Sequence, residues 1–151
     1  MSELPERQLR FQRANFLVSN LERALAFYRD ALGFDVAFIK DSAADSYSYD
    51  VFEIPRDRAM RFAVLSTATQ PRVMALTEIG ELDPATLPRR SAIVLETPDI
   101  DGIVEKARAA GQTVYKEDHL VTQDGREGRE IGILDPDDNL VVLYFITQQP
   151  D

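Results

Sequence analysis

The sequence predicts an α+β fold made of two tandem β-α-β-β-β modules. Three observations point there. Short strand-like runs alternate with two helical stretches; the order of elements repeats; and the repeat has a constant offset, with Leu21 and Ile100 79 residues apart and Gly33 and Gly111 78 apart. A repeat of this kind fixes the architecture before any single element does. The stretch Glu81 to Arg90 (ELDPATLPRR), with two prolines, suits a connection between the halves.

The elements follow in order. From Arg13 to Val18 the pattern has a period of two, as in a half-buried strand. Ser19 with Glu22 three residues on has capping-box spacing, so a helix is expected to start there. Leu21, Ala24, Leu25, Tyr28 and Leu32 then make one apolar stripe, and Gly33 stands where the helix stops. Strands are expected at Phe34 to Ile39, Arg61 to Ser66 and Arg72 to Thr77. The second half begins with a strand at Ala92 to Thr97 and a helix starting at Pro98-Asp99. Its stripe is Ile100, Ile103, Val104 and Ala107, and Gly111 is its stop. Strands at Thr113 to Lys116, Glu130 to Leu134 and Leu140 to Ile146 complete the half, with a turn at Asp135 to Asn139. Residues 1–10 read as an N-terminal extension, 11–80 as the first module, 81–90 as the linker, 91–147 as the second module and 148–151 as a tail.

The halves differ in length. Arg13 to Ala75 spans 62 residues and Ala92 to Val142 only 50. The surplus falls in an insertion at 41–57, which carries Tyr47, Tyr49 and Phe52. This insertion reads either as a short helix or flap over the open face of its sheet, or as a surface excursion packed on the core edge. Each sheet has a helix on one face, so its other face needs the second half, a ligand or another chain.

Composition narrows the function. The chain has 151 residues, 44% of them hydrophobic, with no cysteine, one histidine and a formal net charge of −9. Without cysteine there is no disulfide, thiolate nucleophile or thiolate-held zinc. With His119 alone, one chain cannot supply a two-His-one-carboxylate iron site. The acidic balance argues against nucleic acid. No apolar run reaches the roughly 20 residues of a membrane span, and the charged start is unlike a signal peptide. A cytoplasmic protein is expected.

The stretch NFLVSNLERALAFYRDALGFDV resembles the opening module of the vicinal oxygen chelate superfamily, which includes glyoxalase I, bleomycin-resistance proteins and extradiol dioxygenases. DPDDNLVVLYF is similar to that superfamily's closing hairpin, with Asp138 where a glycine is usual. The resemblance covers Phe11 to Phe145 and implies an eight-stranded cup with a divalent metal on its floor. It places the four metal-ligand positions at Arg13, Ala75, Ala92 and Val142. Alanine and valine have no donor atom, and arginine is a permanent cation. A one-residue slip, to Gln12, Met74, Ile93 and Val141, does not rebuild the site. No metal and no other cofactor is therefore expected. Metal-dependent ring cleavage, fosfomycin opening and glyoxalase-type proton shuttling lose their Lewis acid.

Strand parity assigns the cup lining. Arg13, Asn15, Leu17, Val73, Ala75, Thr77, Ala92, Val94, Glu96, Leu140, Val142 and Tyr144 fall opposite the helix-covered face. The expected ligand-binding residues are Arg13, Asn15, Thr77, Glu96 and Tyr144, with Tyr47, Tyr49 and Phe52 above them. Arg13 suits a ligand carboxylate or phosphate; the alternative is an internal pair with Glu96. Glu96 beside Tyr144 could do acid–base work, but a carboxylate next to an arginine is a weakened acid. His119 reads as a solvated loop residue, or as a base swung over the cup. No GxGxxG, Walker A or Ser-His-Asp pattern is present, and GREGRE has no strand–helix junction around it.

The expected function is metal-independent binding of a small, partly apolar ligand, anionic or aromatic, in the manner of bleomycin-resistance proteins. One alternative is a lyase, isomerase or dioxygenase with displaced metal ligands. Another is a dimerisation module whose cup is filled by its own side chains. A homodimer is what the resemblance implies, with no membrane partner.

Overall fold

A computed structural model describes residues 8–150; the first seven residues of the expected N-terminal extension and Asp151 of the tail lie outside the described residues. The first module runs β1 (Ala14–Val18), α1 (Leu21–Leu25) continued by a π-helical segment (Ala26–Ala31), β2 (Asp35–Asp41), α2 (Tyr47–Val51), β3 (Arg61–Ser66) and β4 (Met74–Glu78). The second runs β5 (Ile93–Glu96), α3 (Ile100–Ala109), β6 (Asp118–Val121), β7 (Glu127–Leu134) and β8 (Leu140–Gln148). Each module makes one four-stranded sheet, ordered β1-β4-β3-β2 and β5-β8-β7-β6. In both, the first and last strands pair parallel and the other pairs are antiparallel. The α+β fold of two tandem modules is thus present.

The start of α1 differs from the capping box. Asn20 is the N-cap, in extended conformation, and its side-chain oxygen accepts from the Arg23 N–H at 2.9 Å. Ser19 is engaged elsewhere: its N–H and hydroxyl both donate to Asp137, at 3.0 and 2.6 Å. The turn between β7 and β8 has taken the predicted cap residue. The single helix expected up to Leu32 also changes its winding. Leu32 donates to the Phe27 carbonyl five residues back, the π spacing. Phe27, which lies off the predicted stripe, is only 2% exposed beside fully buried Tyr28, their rings edge-on at 5.1 Å. The wider turn lets two consecutive aromatic side chains face the core.

The helix-covered faces share one core. Val18, Ala63, Leu65, Met74 and Leu76 of the first sheet join Ile131, Ile133, Val141 and Leu143 of the second, with the helix stripes between. Each buried Leu or Ile contributes about 1.5–3 kcal/mol. A polar lock crosses this core. The Tyr28 hydroxyl donates to Asp135 at 2.8 Å, and Asp135 also accepts from the N–H groups of Asp137 and Asn139 and from the Asn139 amide. The Asn139 amide donates to the Leu17 carbonyl as well, tying the turn to β1. Burial pushes the Asp135 carboxyl up from its ordinary pKa, against the opposing pull of these hydrogen bonds. Asp138 has φ +67°, the left-handed conformation in which glycine is usual.

The strand expected at Thr113 to Lys116 is reduced to one bridge, Val114 with Ile133. The pairing resumes at Asp118 with Glu130, one residue out of step, so a bulge at the sheet edge displaces the strand. His119 consequently sits on β6 and not in a loop.

Candidate functional site

The site is built on the open face of the first sheet. Asn15, Ala75 and Val64 stand in one cross-strand row and end at Phe38; Thr77 and Phe62 are paired in the next. Ala75 and Val64 are small and buried, which leaves room above them. The insertion supplies the roof. It forms α2, and Tyr49 at 7% exposure anchors it in a second cluster with Ile54, Met60 and Ile79, against which Leu17 packs. The Tyr49 hydroxyl also donates to the Arg58 carbonyl at 2.5 Å. Together they border a half-open hollow of about 320 Å³, with Arg13, Asn15, Thr77 and Phe62 on the sheet side and Ser42, Ser46 and Ser48 on the side of the insertion; Arg13, Asn15 and Phe38 are exposed to solvent there.

Arg13 and the Asn15 amide present donors to this hollow, whereas the Ser42, Ser46 and Ser48 hydroxyls both donate and accept and Thr77 presents only lone pairs. The Thr77 hydroxyl donates to the Asn15 side-chain oxygen at 2.9 Å, which leaves the Asn15 amide N–H groups free to donate into the cavity. Ser46 accepts from the Ser48 N–H at 3.3 Å and keeps its hydroxyl proton. Arg13 has no ion pair or hydrogen bond among the described residues. No carboxylate borders the cavity, although the chain carries 26 acidic residues. Phe38 and Phe62 close one side with their rings edge-on at 6.0 Å. A hollow with one uncommitted guanidinium, a free amide N–H, no carboxylate and an aromatic wall favours an acceptor-rich, anionic ligand.

A larger groove, about 640 Å³, runs between the π-helical segment and α3. Its charged groups, apart from the Asp138 carboxylate, are already engaged. Arg23 bonds Ser19 and Asp137, Lys106 bonds the Asp30 carbonyl, and Asp135 holds Tyr28.

The structure brings Arg13, Asn15 and Thr77 together and distributes the remaining sequence candidates elsewhere. Glu96 and Tyr144 are in-register neighbours on the open face of the second sheet, outside the cavity. No bond links Glu96 to Arg13, so the internal pair weighed for that arginine is not formed among the described residues. Tyr47 is 74% exposed and Phe52 lies at the surface; neither borders the cavity. His119 is exposed, with Nε2 3.0 Å from a Glu127 carboxylate oxygen. Phe38, Phe62 and the three serines were not singled out by sequence. The register shift between Val36 and Phe38 breaks strand parity at Phe38, and the serines lie in the insertion; Phe62, paired in register with Thr77, carried a readable signal.

The four positions where a metal would be held do not fit one. Arg13 and Ala75 border the cavity of the first sheet, and Val142 lies beside Val94 on the second. Among the described residues no three His, Cys, Asp or Glu side chains are grouped so as to hold an ion.

Fold and site together define a two-module α+β protein with a half-open hollow on one open sheet. The profile of the Glyoxalase/Bleomycin resistance protein/Dioxygenase superfamily matches residues 10–143, and the chain belongs to that family. Its fold is similar to that of a glyoxalase family protein from Bacillus cereus, with TM-score 0.71, 15% identity, and coverage of 96% of this chain and 99% of that one. It is similar also to the trypanothione-dependent glyoxalase I of Leishmania major, with TM-score 0.61, 19% identity and coverage of 90% and 86%. A third likeness is to the fosfomycin resistance protein FosX of Listeria monocytogenes, in complex with Mn(II) and a dihydroxypropylphosphonic acid, with TM-score 0.56, 18% identity and coverage of 88% and 89%. No curated protein matches the sequence.

Proposed function

We propose that this chain binds a small, partly apolar ligand, anionic or aromatic, without a metal ion, in the cavity of its first sheet. The observation that carries this reading is the uncommitted Arg13 beside the free Asn15 amide, at a position where relatives of this family would be expected to hold a metal. The same hollow favours ligand binding over a cup packed by its own side chains, since about 320 Å³ remains between floor and roof. The proposal includes a cytoplasmic protein, and no described helix is long and apolar enough to cross a membrane. It also includes a homodimer. Val94, 61% exposed, with Val142 and Tyr144 gives the open face of the second sheet, which also carries Glu96, an apolar portion that a second copy could cover.

Two measurements test the reading. Elemental analysis of protein purified without chelator is expected to find no stoichiometric transition metal. Thermal-shift screening against small carboxylates and aromatic compounds is expected to find ligands that raise Tm, since a ligand at 100 times its Kd adds about 2.7 kcal/mol. One bound metal per chain, required for ligand binding, overturns the proposal.

A further inference from the structure

Beside the Arg13 cavity lies a second hollow of about 520 Å³, between the free edges of β1 and β5. Phe11, Phe16, Val73, Ile93, Val94 and Leu95 are among its apolar lining, Thr67, Gln70 and Ser91 add neutral polar groups, and no charged side chain borders it. Asn15 borders both hollows, so they meet across the edge of β1. Arg13 is the only charged residue of the first hollow and lies in the chain between Phe11 and Asn15 of the second. One end of the combined space is therefore cationic, and the other is mainly apolar and uncharged.

We infer that the ligand is an amphipathic monocarboxylate, its carboxylate held by Arg13 and the Asn15 amide and its alkyl chain lying over the edge of β1 in the apolar cleft. This rests on the metal-free binding reading above and narrows it. A carboxylate accepts from a guanidinium and an amide together, and such charge-assisted bonds are about twice as strong as neutral ones. The cleft adds an increment for every methylene it removes from water. Neither hollow alone selects this class: the first would take any small anion, and the second any apolar group.

Calorimetric titration of the full chain with butanoate, hexanoate, octanoate and 1-octanol tests the inference. Affinity is expected to rise about fourfold per added methylene, and octanoate is expected to bind at least tenfold more tightly than 1-octanol. Arg13→Gln should abolish the preference for octanoate over 1-octanol while keeping binding of the alkyl chain. Val94→Glu, at an exposed position of the cleft wall, should flatten the dependence on chain length, weakening octanoate far more than butanoate. Equal affinity for butanoate and octanoate, or for octanoate and 1-octanol, overturns the inference. If phenol or indole binds without metal and no alkyl carboxylate does, this inference falls and the broader one stands. If neither type of compound binds, both fall.

Discussion

In the first module Arg61 of β3 reaches Glu78 at 2.8 Å and Glu22 at the start of α1 at 3.5 Å. In the second, Arg129 of β7 reaches Glu117 at 2.6 Å and Asp101 at the start of α3 at 2.7 Å. Glu22 and Asp101 are 79 residues apart, the same offset as the helix stripes. Both halves thus retain an arginine clamp from the third strand to the helix, while their open faces have diverged. The first sheet carries the roofed cavity; the second has only the short connection 122–126 between β6 and β7 and leaves Val94 bare. The helix side is constrained because both modules share one core there. The open side is free to vary, and that is where a binding site can be made or lost.

The largest effect is expected from removing the anchor of the roof. Tyr49→Ala deletes a buried ring and its bond to the Arg58 carbonyl, at a cost of about 3 kcal/mol, and ligand binding is lost with the roof. Urea unfolding and titration check both parts. A loss below about 1 kcal/mol with binding intact would mean that the insertion does not distinguish the modules.

The lock joining the modules comes next. Asp135→Ala strips the acceptor from Tyr28, Asn139 and the Asp137 N–H, and should cost about 2–3 kcal/mol, against about 1 kcal/mol for Tyr28→Phe. Equal costs in chemical denaturation would show that the carboxylate matters only to Tyr28.

The first clamp can be probed by pH. The Arg61 hydrogen bond, aided by the Leu21 N–H, holds the Glu78 carboxyl below its ordinary pKa despite partial burial. The unfolded chain then binds this proton more readily than the folded one. Glu78 therefore contributes its stability above the unfolded carboxylate pKa of about 4.3, and loses it as pH falls through the lowered folded value. Glu78→Gln should flatten the acid limb of Tm against pH, with about 1 kcal/mol at stake at neutral pH. An unchanged acid limb would assign the acid sensitivity to other carboxylates. The smallest effect is expected at Asp138, where Asp138→Gly relieves the left-handed conformation but loosens the unfolded chain, for a net gain under about 1 kcal/mol by thermal unfolding.

Much of the helix side was legible in the sequence. Leu21, Ala24 and Leu25, and Ile100, Ile103 and Ala107, are buried as their spacing requires, because a helix packed on a sheet has one period and one face. The open side was legible only in part. Arg13, Asn15 and Thr77 fall together because two paired strands fix their side by alternation. Phe38 escaped notice because a bulge in β2 breaks alternation, and Ser42, Ser46 and Ser48 because an insertion has no period to read, whereas Phe62 on the regularly paired β3 was within reach of alternation. Ser19 was expected as the cap and Asn20 holds that place, because Asp137, which engages Ser19, is 118 residues away.

The sequence by itself determined the two modules, their connection and the residue types available at each strand position, since periodicity and repeat offset are properties of the chain alone. Tertiary structure decided which of those residues share a space. It separated Arg13 from Glu96 onto different sheets, put Tyr49 into a core while leaving Tyr47 in solvent, and formed the hollow between β1 and β5. Those outcomes depend on how sheet edges and an aperiodic insertion pack, which is set by contacts between residues far apart in the chain.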